Sequence, residues 1–130
     1  KVIQVGGFSG GSSDNRVELY DPTNDKWLEG SVMNKARMLH TTSLLDDGRV
    51  MVIGGTSREG NMTGSEIYNP ETEIWSQSGD MIERRASHTA TILEDGKVLV
   101  VGGTNMGSGI CEIYDPKIGN WSASKFAIFQ

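Results

Sequence analysis

The chain has 130 residues, 36% of them hydrophobic, with 17 Asp+Glu against 12 Lys+Arg and a formal net charge of -5. That apolar content and mixed charge exclude a disordered chain, no apolar run approaches the roughly 20 residues of a membrane-spanning helix, and the acidic excess leaves no basic surface to neutralise a row of phosphates. A single cysteine, Cys111, excludes an intrachain disulfide or a Cys-rich zinc site, so stability has to come from packing.

Taken in chain order, the apolar runs are short and follow strand periodicity. Residues 2–5 read as a strand that runs into Gly6-Gly7. A polar loop over 8–15 leads to a second strand ending at Tyr20, a turn at Asp21-Pro22 and a third strand carrying Trp27. Residues 40–45 and 50–53 form a hairpin around Asp46-Asp47-Gly48. After Gly54-Gly55 and the loop 56–64 comes a second hairpin, 65–68 and 74–76, whose turn holds Pro70; proline cannot donate to a sheet ladder and belongs there. The same order returns from 88–93 to Trp121.

The spacing is periodic. The glycine pairs Gly6-Gly7, Gly54-Gly55 and Gly102-Gly103 recur every 48 residues, and the same step links Tyr20 to Tyr68, Pro22 to Pro70, Trp27 to Trp75, Arg37 to Arg85 and His40 to His88. The third copy is two residues shorter after its glycine pair, giving Tyr114, Pro116 and Trp121. Four short antiparallel strands per unit, here a, b, c and d, at a period of about 40–50 residues are the pattern of a propeller blade. Such a sheet cannot bury both faces alone. The tyrosine of strand c and the tryptophan of strand d are the surfaces expected to meet a neighbouring blade, and the glycine pair marks a close backbone approach or a positive φ.

The glycine pair, followed by Val17-Glu18-Leu19-Tyr20-Asp21-Pro22 and Trp27, by Glu66-Ile67-Tyr68-Asn69-Pro70 and Trp75, and by Glu112-Ile113-Tyr114-Asp115-Pro116 and Trp121, resembles the kelch repeat. The stretch Ala36-Arg37-Met38-Leu39-His40 running to Asp47-Gly48-Arg49-Val50 is similar to the kelch type of the central domain of galactose oxidase. The resemblance implies an all-β fold, a kelch-type β-propeller fragment of four-stranded antiparallel blades, with eleven strands or about 2.75 blades. The division expected is a partial blade over 1–33, a blade over 34–81 and a blade over 82–127. A closed propeller of this type needs more than twice this length, so the chain reads as part of a longer propeller, completed by its remainder or by another copy.

Chemistry has few candidates. His40 and His88 could converge near a propeller axis, and the resemblance would place a copper ligand in a Tyr-His pair at the start of strand a. Leu39 and Ser87 stand where the tyrosines would be, and no motif ties Cys111 to a tyrosine crosslink, so the histidines read as framework residues and no metal or other cofactor is expected. Arg37 and Arg85, with Glu18, Glu66 and Glu112, read as framework ion pairs or caps between blades. Asp46-Asp47 and Glu94-Asp95 lie in water-exposed turns, where neither carboxyl of a pair can be desolvated for acid and base roles. The glycine-rich stretches lack the Lys-Ser/Thr of a phosphate loop.

The b–c loops and d–a connections share one face. By sequence it holds one more cation than acid, whereas the opposite face holds five more acids than cations. Loops on a rigid scaffold are where binding sits. The expectation is a non-catalytic interaction module that binds a protein or glycan partner through this face, with Arg58, Asn61, Arg84, Arg85 and Asn105 as contact residues. The alternative is a fragment of a galactose-oxidase-like copper-radical oxidase or another carbohydrate-active propeller. The compartment is not legible.

Overall fold

The computed structural model describes residues 2–104 and 109–124, and every regular element in them is a strand. The first sheet orders β1 (Val2–Ser9), β2 (Ser12–Asp21) and β3 (Lys26–Glu29). The second orders β4 (Thr41–Leu44), β5 (Val50–Ile53), β8 (Gly64–Asn69) and β9 (Ile74–Asp80). Between β5 and β8 the chain makes a small separate hairpin, β6 (Thr56–Ser57) and β7 (Gly60–Asn61). The third sheet orders β10 (Thr89–Ile92), β11 (Val98–Val101), β12 (Glu112–Asp115) and β13 (Asn120–Ala123). All pairings are antiparallel, and the registers repeat: Tyr20 faces Trp27, Tyr68 faces Trp75 and Tyr114 faces Trp121.

The eleven blade strands expected from the repeat are all present, in three antiparallel sheets of an all-β fold. Strand a is shorter than the apolar pattern suggests, starting at Thr41 and Thr89 instead of at the histidines. The residue before each histidine, Leu39 or Ser87, has a left-handed backbone (φ 57° and 56°), and Ser87 N–H donates to Leu39 C=O at 2.9 Å. This turn-like conformation lies just ahead of the first ladder residues, Thr41 and Thr89. It links equivalent positions of successive sheets directly.

Two apolar seams hold the sheets together. Val5, Val17 and Met33 meet Val50, Val52, Tyr68 and Trp75 in one; Leu45, Met51, Ile53, Ile67 and Met81 meet Val98, Val100 and Tyr114 in the other, with Trp121 against its edge. Alternation explains the division: in β5, Val50 and Val52 point to the first sheet, and Met51 and Ile53 point to the third. The expectation that the aromatic pair serves blade contact holds where a neighbour exists. Tyr68 and Trp75 are 2% and 8% exposed, whereas Trp27, which has no preceding sheet, is 52% exposed. Each Tyr–Trp pair packs with ring centroids 5.1–5.2 Å apart, a contact worth about 0.5–1.5 kcal/mol beyond its buried area. The indole N–H groups also cross the seams, Trp75 Nε1 donating to Ser31 C=O at 2.7 Å and Trp121 Nε1 to Ser65 Oγ at 3.2 Å.

The second glycine pair packs tightly against neighbouring backbone. A Cβ on Gly54 would lie 2.5 Å from Arg85 C=O and 3.0 Å from the His88 ring, and its φ of 60° is left-handed. Glycine answers both demands.

Candidate functional site

The recurring arginines are buried and each makes four side-chain hydrogen bonds. Arg37 is 1% exposed and Arg85 0%. The Arg85 Nε and Nη2 donate to Glu112 Oε2 at 3.0 and 2.9 Å, while Nη1 donates to Gly102 C=O at 2.9 Å and Nη2 to Ile110 C=O at 2.6 Å. Arg37 repeats this with Glu66 (3.3 and 3.0 Å), Gly54 C=O (2.7 Å) and Gly64 C=O (3.0 Å). The carboxylates work on a second side as well. Glu66 accepts from the backbone N–H groups of Asn34 and Lys35, and Glu112 from those of Ile82 and Glu83, pinning the d–a connection to strand c.

The ion pairs expected between blades are therefore formed within each sheet. The backbone of the same arginine does cross the seam: Arg85 C=O accepts from Gly55 N–H at 2.8 Å and Arg85 N–H donates to Met62 C=O at 3.0 Å. Arg37 is held identically by Gly7 N–H at 2.7 Å and Asp14 C=O at 2.9 Å. Main chain in one sheet and side chain in the next make each arginine an inter-blade bolt. This corrects one expectation directly. Arg85 was expected to contact a partner, yet its guanidinium is wholly buried and its donors are spent on Glu112 and two carbonyls, so it presents nothing to solvent.

The histidines line the same seams. His88 is 6% exposed, with Nε2 2.9 Å from Thr41 Oγ1 of the second sheet. Burial, then the Arg85 and His40 charges, push its pKa down to about 4, and burial also lowers that of His40, so both rings are neutral near pH 7. The Nδ1 of each ring is buried without a hydrogen-bond partner. Among the described residues no group of three or more His, Cys, Asp or Glu comes together.

What the b–c face does offer is a polar groove of about 720 Å³ above the second sheet. Its walls are the tip of the β1–β2 hairpin, with Ser12 and Ser13, and the β6–β7 hairpin, with Ser57, Arg58 and Asn61. Lys35, Gln77, Asp80 and Arg84 complete the lining, and the buried Arg37–Glu66 pair is its floor. A second hollow of about 640 Å³ shares Glu59, Asn61 and Arg84 with it.

Three of the residues expected at a contact surface, Arg58, Asn61 and Arg84, come together here. Arg84 Nη1 donates to Asn61 C=O at 3.0 Å, and Asn61 Nδ2 donates to Thr104 Oγ1, three residues beyond β11, at 3.0 Å, which fixes the hairpin across the seam. Asn105 lies outside the described residues. With Arg37 and Arg85 buried in ion pairs, the positive balance of the face as a whole disappears. The surplus is local to the groove, where Lys35, Arg58 and Arg84 outnumber Glu59 and Asp80.

The walls of the groove escaped the sequence reading. Residues 8–15 and 56–64 were expected as loops, but β1 and β2 continue pairing out to Ser9–Ser12 around Gly10-Gly11, both at positive φ, and the second stretch holds β6 and β7. The Gly-Gly dipeptide, which suits a two-residue hairpin turn, was the available signal in the first. No comparable dipeptide marks the second.

A family model for the Kelch motif matches residues 2–34 and 37–82, more than half of the chain. The chain belongs to the kelch family. Kelch repeats generally act as protein-interaction modules. No curated protein matches this kelch chain.

Proposed function

We propose that this kelch segment is a non-catalytic interaction module that receives an acidic, polar partner, a protein segment or a glycan, in the groove between the β1–β2 and β6–β7 hairpins. The blades are divided at 1–33, 34–81 and 82–127, and the rest of a propeller or another copy continues the ring. The observation that carries the reading is the clustering of Arg58, Arg84 and Lys35 in a polar groove on rigid hairpins, above an ion pair that takes no part in solvent chemistry. Arginine provides planar, multi-donor contacts to carboxylate or sulfate, and Arg84 is already oriented by Asn61.

The test is a binding screen of acidic peptides and acidic glycans against the chain and its Arg58→Glu/Arg84→Glu variant. Binding weakened at least about tenfold by charge reversal, and weakened by salt, supports the proposal. Ligands indifferent to both changes refute it. For the copper-radical oxidase alternative, titration with copper followed by optical spectra is decisive: a stoichiometric, saturable site would displace the interaction reading.

A further inference from the structure

We propose that the second hollow is an apolar subsite, centred on Ile82, for an aliphatic side chain of a protein segment whose acidic residue occupies the groove; this rests on the interaction reading of the groove and commits it to a peptide. Ile82 is 61% exposed and lines a hollow of about 640 Å³. The other walls come from β7 with its flanking residues and from the connection between β9 and β10. Asn61 and Arg84 line both this hollow and the groove, so one extended segment lying over them meets the two in turn.

The backbone fixes Ile82 in place. Its N–H donates to Glu112 Oε1 as the N–H of Asn34 does to Glu66 Oε1, so the two residues hold the same place in successive repeats. Asn34 lines the groove. A polar amide in one hollow and an aliphatic side chain in the next give the two sites different chemistry. Charge separates them as well. Lys35, Arg58 and Arg84 outnumber Glu59 and Asp80 in the groove, while Glu59 and Glu83 outnumber Arg84 in the second hollow. A carboxylate is therefore drawn to the groove, and around Ile82 an uncharged apolar group gains most by leaving water.

The lining also decides between a protein segment and a glycan. Among the described residues no aromatic ring lines either hollow, so the flat C–H face of a sugar has no ring to stack on. A peptide needs none. Its successive side chains set a carboxylate against Arg84 and an aliphatic group against Ile82, the division of labour found where arginine clusters read acidic segments.

The experiment uses the full chain and a library of N-acetylated, C-amidated hexapeptides with one fixed glutamate, the other positions varied among glycine, serine, leucine and lysine. An oligogalacturonate serves as the glycan probe. Selection of leucine at one spacing from the glutamate, with affinity falling about tenfold when that leucine becomes glycine, supports the proposal when Ile82→Ser abolishes the preference. Ile82 is exposed and its N–H bond survives the change, so Ile82→Ser leaves the fold intact. Indifference to leucine, or a preference that Ile82→Ser leaves unchanged, overturns it. Oligogalacturonate binding that Arg58→Glu/Arg84→Glu weakens, with no peptide bound, overturns the subsite and leaves the groove reading standing. Leucine-dependent binding that ignores the same charge reversal overturns both.

Discussion

Arg84 and Arg85 are neighbours in sequence and opposites in consequence. Replacing Arg85 by alanine leaves Glu112, which is 0% exposed, as a buried carboxylate with no cation, and strips the donors from Gly102 C=O and Ile110 C=O. Removing one partner of a buried ion pair costs about 3–5 kcal/mol, a large part of the stability of a domain this size. Lysine does not substitute: one ammonium cannot reach Glu112 and two carbonyls that the planar guanidinium reaches at once. Arg84→Ala removes one exposed bond to Asn61 C=O and should stay within about 0.5 kcal/mol of wild type. Urea denaturation followed by far-UV circular dichroism separates the two, the Arg85→Ala midpoint falling sharply or the variant failing to fold. An Arg85→Ala protein as stable as Arg84→Ala would refute the bolt between blades.

Acidification acts through the seam histidines. With the His88 pKa lowered to about 4 in the fold, the unfolded chain binds the extra proton first, so stability is complete above about pH 6.5, falls as pH drops towards 4 and levels below it. The loss is on the order of 3 kcal/mol, with His40 adding in the same direction; urea midpoints at pH 7 and pH 4.5 measure it, and His88→Gln should flatten the slope. Gly54→Ala forces a Cβ to 2.5 Å from Arg85 C=O at a left-handed φ and should cost more than about 2 kcal/mol, whereas Gly10→Ala, with open space around its Cβ, should cost about 1 kcal/mol. Thermal melts rank the two. Trp75→Phe removes the bond to Ser31 C=O and part of the first seam, for a loss of about 1–2 kcal/mol, while Trp27→Phe, half exposed, should be near neutral.

The blade strands were legible because a fixed beat of tyrosine, proline and tryptophan reports a geometry that every unit must satisfy. The arginine–glutamate pairing was legible as a recurrence, but its direction was not, since one residue's backbone and side chain belong to different sheets and a linear string does not separate them. Arg84 and Arg85 illustrate the same limit: both lie in a connection on the same face, and only the orientation of the backbone at the seam sends one guanidinium outward and the other into the sheet. The β6–β7 hairpin escaped because two-residue ladders built from Thr, Ser, Gly and Asn carry no apolar alternation to read. Arg58 and Arg84 were found from loop position, yet the groove that joins them depends on hairpins that the composition of those segments does not announce.

The left-handed link from Ser87 to Leu39 has a direction, because the third sheet hands a donor to the second at the same position of the repeat. Duplicating or deleting a whole unit leaves each handshake chemically unchanged. The junction between the second and third sheets thus depends on which positions of the repeat meet, and not on which copy supplies them.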